Sequence, residues 1–195
     1  MKALISGFEP FDGDAINPSK ELVTQVLPQK VGDWELEGVI LPVSFERAFP
    51  TLKEAIELHQ PDLVLAMGVA KNRIQVSFER IGINWMEARI PDNEGFQPKG
   101  QKIIKDGPDG IFTSLSLTNI MDISREKKLS VEISNSAGTY VCNRLMYELQ
   151  MHSQKRSISS GFVHLPPCPE MRGESLKSMS VPEVWETLKS VLFFS

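Results

Sequence analysis

Thiol chemistry in this chain has few available parts, because its 195 residues include only two cysteines and three histidines. Cys142 follows the small, polar, glycine-containing stretch Asn135-Ser136-Ala137-Gly138-Thr139. It lies at the start of a segment whose apolar residues, Val141, Leu145 and Leu149 with Met146 beside them, recur at helical spacing. A cysteine in a first helical turn meets unpaired N–H groups and the positive end of the helix dipole, both of which favour a thiolate. The competing reading is a small buried apolar residue, which is what most free cysteines are. Among the histidines, His59 ends an amphipathic segment beside Gln60-Pro61, and His152 sits among Ser153, Gln154 and Lys155, both solvated settings. His164 alone terminates an apolar strand, Ser157 to His164, before Leu165-Pro166-Pro167. Taken singly it reads as a core residue. Beside Cys142 it reads as a base, since a thiolate and an imidazolium together attack a carbonyl and protonate the leaving amine. Glu79 is the best-placed carboxylate to hold the imidazole, although with Arg80 it also fits a solvated strand bend.

The elements that must position these groups alternate between strand and helix. Lys2 to Ser6 reads as a buried strand feeding the loop Gly7-Phe8-Glu9-Pro10-Phe11-Asp12-Gly13, and Asn17-Pro18 caps and opens a helix through about Leu27. Trp34 to Val43 is a further strand, followed by a helix to about Leu58 with Pro50 in or near its first turn. Leu63 to Ala70 is apolar on both faces, as a central parallel strand covered by helices must be. The loops after Ser6 and Gly68 then leave the same sheet edge, where open sheets bind ligands, and Phe8 and Phe11 either face that edge or tuck into the core. Ile74 to Phe78 alternates cleanly, but beyond Glu79-Arg80 the apolar positions resume one out of phase at Ile81 and Ile83, which predicts a β-bulge. Glu87 to Gly100 reads as a long loop or extended excursion, with Arg89 a surface partner of Glu87 or Asp92. A helix from about Leu115 to Lys127, a strand Leu129 to Ile133 and a closing helix Ser180 to Phe193 complete the chain. The alternation predicts one three-layer α/β domain over residues 1–195.

Composition narrows the partners. With 41% hydrophobic and 24% charged residues and a net charge of −4, the chain reads as an ordinary soluble globular protein, with no support for nucleic-acid or anionic-membrane binding. The longest apolar run, Leu63 to Ala70, is far below the roughly 20 residues of a membrane span. Two cysteines make no disulfide framework, and Met1-Lys2 opens no signal-peptide pattern, so a cytoplasmic location is expected. No His/Cys cluster has zinc-ligand spacing, and no phosphate loop or dinucleotide fingerprint occurs, so no metal and no cofactor is expected.

Five stretches together resemble the pyroglutamyl-peptidase I (pyrrolidone-carboxylate peptidase) family of cysteine peptidases. They are Gly7-Phe8-Glu9-Pro10-Phe11 with Asn17-Pro18-Ser19, Glu79-Arg80-Ile81-Gly82-Ile83-Asn84, Glu87 to Gly95, Ala137-Gly138-Thr139-Tyr140-Val141-Cys142-Asn143, and Gly161-Phe162-Val163-His164-Leu165-Pro166. They stand in the family's order and span nearly the whole chain. The resemblance implies a three-layer α/β/α fold of phosphorylase/hydrolase-like type with a twisted, mostly parallel central sheet. It also implies hydrolysis of the amide bond after an N-terminal pyroglutamyl residue of peptides. By position Cys142 becomes the nucleophile, His164 the general base and acid, and Glu79 the orienting carboxylate. Arg89 and the Cys142 backbone N–H become the oxyanion donors. Phe8 and Phe11 become aromatic pocket walls, with Asn17, Ile90, Tyr140 and Val141 lining the pocket, in a cytoplasmic homo-oligomer, tetramer or dimer. Relatives usually carry a Gly-Gln-Ala-Gly-Gly-like loop where this chain has Gly68-Val69-Ala70-Lys71-Asn72, so a polar residue is missing at Val69. Tyr140 replaces a common phenylalanine, and Cys168 is unusual and reads as packing. Two other readings stay open: a related thiol amidase acting on another small lactam or amide, and a non-catalytic α/β binding protein.

Overall fold

In the computed structural model, which describes residues 1–172 and 178–193, strands and helices alternate along most of the chain. The order is β1 (Lys2–Phe8), α1 (Pro18–Val26), β2 (Gln29–Val31), β3 (Trp34–Leu41), α2 (Ala48–His59) and β4 (Leu63–Val69). Then come β5 (Val76–Glu79), β6 (Ile81–Ile83), β7 (Met86–Glu87), β8 (Lys99–Gln101), β9 (Gly110–Phe112) and α3 (Leu117–Glu126). The last are β10 (Val131–Ser134), α4 (Val141–Gln154), β11 (Ser159–Leu165), α5 (Pro169–Arg172) and α6 (Val181–Leu192). Seven strands form one sheet in the order β10-β5-β11-β4-β1-β3-β2. β4, buried at every position, is its middle strand and runs parallel to both neighbours, as an all-apolar strand predicts.

Alternation along the strands sorts side chains into two layers. Leu63, Leu65 and Met67 pack with residues of α1, α3 and α6, whereas Val64 and Ala66 pack with residues of α2 and α4. Local signals start two of the helices. Asn17 accepts from the Ser19 N–H ahead of Pro18, and Ser180 forms a capping box with Glu183. Among the described residues no helix is long and apolar enough to cross a membrane.

The sheet is mostly parallel, as expected, but β5 pairs antiparallel with β11, so the β10–β5 pair, parallel within itself, runs against β11, and β2 runs against β3. The loop 70–75 before β5 is too short for the crossover of a dozen residues that a parallel return requires. The phase slip after Glu79 is not a bulge: the chain leaves the main sheet there, and β6 pairs with β9 in a separate two-stranded sheet. The pairing irregularity lies instead at Met86/Glu87, where β7 and β8 form a third sheet and turn the expected long loop into a hairpin arm. That arm is tied down by Asp92, whose carboxylate accepts from the N–H groups of Phe45, Glu94 and Phe96.

Candidate active site

Strand parity aims the candidate base and carboxylate at the same layer. His164 stands two residues beyond Phe162, which packs with the α2 and α4 residues, and Glu79 follows Phe78, which packs on the opposite face. Both side chains therefore face α4, and His164 Nδ1 lies 2.7 Å from Glu79 Oε1. The Phe162 ring sits 4.9 Å from the imidazole at an interplanar angle of 60°, fixing its edge. Cys142 reaches the same place from the start of α4. Its neighbour Asn143 is buried and locks the helix against β6, accepting from the Ile83 N–H and donating to the Ile83 and Trp85 carbonyls. Gly68 makes room for the sulfur: a Cβ added there would stand 2.9 Å from Cys142 Sγ. Because Gly68 is the register partner of His164 and stands against Cys142 Sγ, sulfur and imidazole occupy adjacent positions above β4 and β11.

Electrostatics follow from this packing. Burial disfavours a charged imidazole, but hydrogen bonds and charge from Cys142 and Glu79 outweigh it and push the His164 pKa up to about 9. At neutral pH His164 is then an imidazolium, with Nδ1–H given to Glu79 and the other nitrogen left for the sulfur. Glu79 is 1% exposed, and its Oε2 has no hydrogen-bond partner among the described residues. The first intrahelical bond of α4 runs from the Arg144 N–H to the Tyr140 carbonyl, so the Cys142 N–H has no partner within the helix.

A small cavity opens beside the sulfur. Phe8, Phe11 and Tyr140 supply aromatic walls, and Val43, Val69 and Val141 aliphatic ones. Asn17 also lines it, yet its side chain is committed to Ser19 and to the Glu9 carbonyl. The Tyr140 hydroxyl finds its partner in the Pro91 carbonyl at 3.0 Å, tying the hairpin arm to the cavity rim. Burial, ahead of the charges of Asp92 and Cys142, pushes this phenol up to about 12, so it stays neutral. Lys71 bridges Asp12 and Asp14 at 3.2 and 2.8 Å and stands over the Phe11 ring, holding the loop after β1 to the loop after β4.

Arg89 and Ile90 lie outside this cavity. Both are exposed and line an adjoining groove of ≈ 1080 Å³ that shares Phe11, Val69 and Tyr140 with it. The expected surface pairing of Arg89 with Glu87 or Asp92 does not form among the described residues, since Asp92 is 6% exposed and spent on backbone N–H groups. His152, read from sequence as solvated, is half-buried against the Phe49 ring, and burial lowers its pKa. Cys168 is 1% exposed and, like Cys142, a free thiol; burial and the neighbouring Glu170 push it up. Sequence reasoning missed Val43 as a cavity wall and Arg73, whose Nη2 lies 3.4 Å from Glu79 Oε1. No local pattern marks Arg73, which follows the turn-like Lys71-Asn72 and reads as surface.

A family model described as pyroglutamyl peptidase matches residues 1–192. A pyrrolidone-carboxylate peptidase of Vibrio vulnificus (strain YJ016) is 41% identical over 192 residues, covering 98% of this chain and 91% of that protein. One of the same name from Pyrococcus furiosus is 38% identical over 184 residues, 93% of this chain and 88% of that protein. The crystal structure of pyroglutamyl peptidase I from Bacillus amyloliquefaciens superposes with a TM-score of 0.93 at 37% identity, over 97% of this chain and 92% of that one. With its three-layer fold and the convergence of thiol, imidazole and carboxylate at one sheet edge, the chain belongs to the pyroglutamyl peptidase family.

Proposed function

We propose that residues 1–195 act as one catalytic domain, a cysteine exopeptidase that hydrolyses the amide bond after an N-terminal pyroglutamyl residue. The observation that carries this reading is the Cys142 sulfur beside a His164 imidazole bonded to buried Glu79, at the floor of a small apolar cavity. In the mechanism, the Cys142 thiolate attacks the pyroglutamyl carbonyl carbon. The resulting oxyanion accepts hydrogen bonds from the Cys142 backbone N–H and from Arg89 on the adjoining groove wall. His164 donates its proton to the leaving amine, forming a thioester, and then removes a proton from the water that hydrolyses it. Glu79 keeps the imidazole in one orientation and balances its charge.

The cavity suits a pyroglutamyl ring because the ring is compact and uncharged. Phe8, Phe11 and Tyr140 offer it aromatic surface, Val43, Val69 and Val141 close the sides, Asn17 braces the wall behind Phe8, and Ile90 continues the surface into the groove. An ordinary N-terminal ammonium would lose its hydration there without gaining a partner, which excludes unblocked peptides. The reading also makes the protein a cytoplasmic homo-oligomer, tetramer or dimer. Exposed Trp85 and Phe112 offer apolar surface for association, and sedimentation at micromolar concentration tests it.

The deciding assay is coumarin release from pyroglutamyl-7-amido-4-methylcoumarin, with Cys142→Ala as control. Wild type is expected to turn over and the variant to fall to background. No release by wild type, or full release by the variant, would refute the reading. Val69, an apolar side chain on the cavity wall, favours a second reading as an amidase of another small lactam or amide. Faster cleavage of a different blocked amide in a substrate panel would establish it.

A further inference from the structure

A buried carboxylate stays charged only beside a cation, and His164 is one only while protonated. In the mechanism proposed above the imidazole surrenders its proton to the leaving amine, and Glu79 then lacks that partner. Arg73, which comes from the loop 70–75 between β4 and β5, supplies a cation that cannot be discharged. Its Nη2 lies 3.4 Å from Glu79 Oε1 and donates to Ser134 Oγ at 2.7 Å, while Nη1 donates to Glu132 Oε1 at 2.8 Å. Glu132 in turn accepts from Ser77 Oγ at 2.6 Å, and Ser77 is the β5 register partner of His164. The Ser77 hydroxyl, and after it Arg73, hold the Glu132 carboxyl below the usual carboxylate range, so Glu132 remains an anion and fixes the guanidinium in place. A chain of polar contacts, Glu79 to Arg73 to Glu132 to Ser77, thus lies behind the candidate triad, with Arg73 and His164 meeting the same Glu79 oxygen, Oε1.

We propose that Arg73 is a positioning residue that acts through Glu79, keeping that carboxylate charged when His164 is neutral, with Glu132 as its bracket. The proposal rests on Cys142, His164 and Glu79 being the reacting unit. A merely structural Arg73, tying the loop 70–75 to β10, would affect stability without altering pH dependence. The charged and titratable groups around Glu79 are His164 from β11, Cys142 from α4, Glu132 from β10 and Arg73 itself.

The test compares wild type, Arg73→Met, Arg73→Lys and Glu132→Gln in coumarin release and in iodoacetamide alkylation of Cys142, each from acid to neutral pH. Arg73→Met is expected to lower kcat by about tenfold to a hundredfold with KM changed by no more than about twofold, the cost of a slightly misplaced catalytic group. The acid limbs of both profiles move to higher pH, because loss of the cation lets a proton neutralise the carboxylate sooner. Arg73→Lys restores most of kcat, and Glu132→Gln shifts the profiles in the same direction by less. Unchanged kcat and profiles in Arg73→Met would overturn the proposal, as would an Arg73→Lys protein equally impaired. If wild type releases no coumarin, the functional reading fails while alkylation still decides: a shifted acid limb sustains the role of Arg73 and an unshifted one removes it. Should Arg73→Met not fold, the Arg73→Lys and Glu132→Gln profiles decide alone, and wild-type behaviour in both would overturn it.

Discussion

Replacing Gly68 by alanine tests whether the sulfur's seat over β4 governs the chemistry. In a strand interior alanine is ordinarily better than glycine by about 0.5–1 kcal/mol, so backbone preference alone predicts a slightly more stable protein. The structure predicts the opposite. The new methyl would stand 2.9 Å from Cys142 Sγ, 3.2 Å from Phe162 Cζ and 3.6 Å from Phe8 Cδ2. The first distance is about 0.6 Å short of the ~3.5 Å at which dispersion contacts are comfortable. Because β4 is locked between β1 and β11, the sulfur must give way. A displacement approaching 1 Å at a reacting atom costs up to about a hundredfold, so kcat/KM should fall by roughly ten- to a hundredfold. Overpacking should cost ~1–2 kcal/mol of stability. Coumarin release gives the first quantity, urea denaturation the second, and iodoacetamide alkylation of Cys142 shows whether the thiol itself has moved away from its base. A Gly68→Ala protein with wild-type kcat/KM and unchanged alkylation would refute this account of the site.

Two further perturbations probe the surroundings. His164, raised to about 9, should remain protonated through neutral pH, and its NMR midpoint should fall by about one pH unit or more in Glu79→Gln. Since folding raises this pKa, its stabilisation is complete below about 6.5 and is lost as pH rises through the folded value. Wild type should therefore lose stability on the alkaline side relative to Glu79→Gln, and parallel denaturation curves would contradict this. Asp92→Ala leaves the N–H groups of Phe45, Glu94 and Phe96 without their acceptor, so urea denaturation should show a loss of about 2–3 kcal/mol. KM should rise more than kcat falls, because the cavity rim loosens while the triad does not.

Much of the fold was legible because it is locally encoded. The apolar run at β4, the Asn17 cap and the helical spacing after Cys142 each depend on a few neighbouring residues, and each appears where the sequence puts it. Cys142 and His164 could be singled out because so few residues of their type exist and each ends or begins an element. What stayed hidden is non-local. The reversal of β5, the departure of β6 to pair with β9, and the role of Asp92 as an acceptor for a residue 47 positions away leave no periodic trace. Arg73 is the sharpest case, since its partners Glu132 and Ser134 lie 59 and 61 residues away. The phase slip at Glu79 was a true signal of a change in the chain's course, misread because a bulge and an exit from the sheet look alike over a few residues.

The sorting of side chains by strand parity leaves this molecule with little tolerance for insertions at its centre. One extra residue between Ser159 and Val163 would turn the imidazole through half a revolution into the layer of α3 and α6, and the same change before Glu79 in β5 would send its carboxylate there too. Length variation among descendants of this chain is therefore expected to accumulate in the turn at 155–158, where a gained or lost residue leaves the odd-and-even bookkeeping of the sheet untouched.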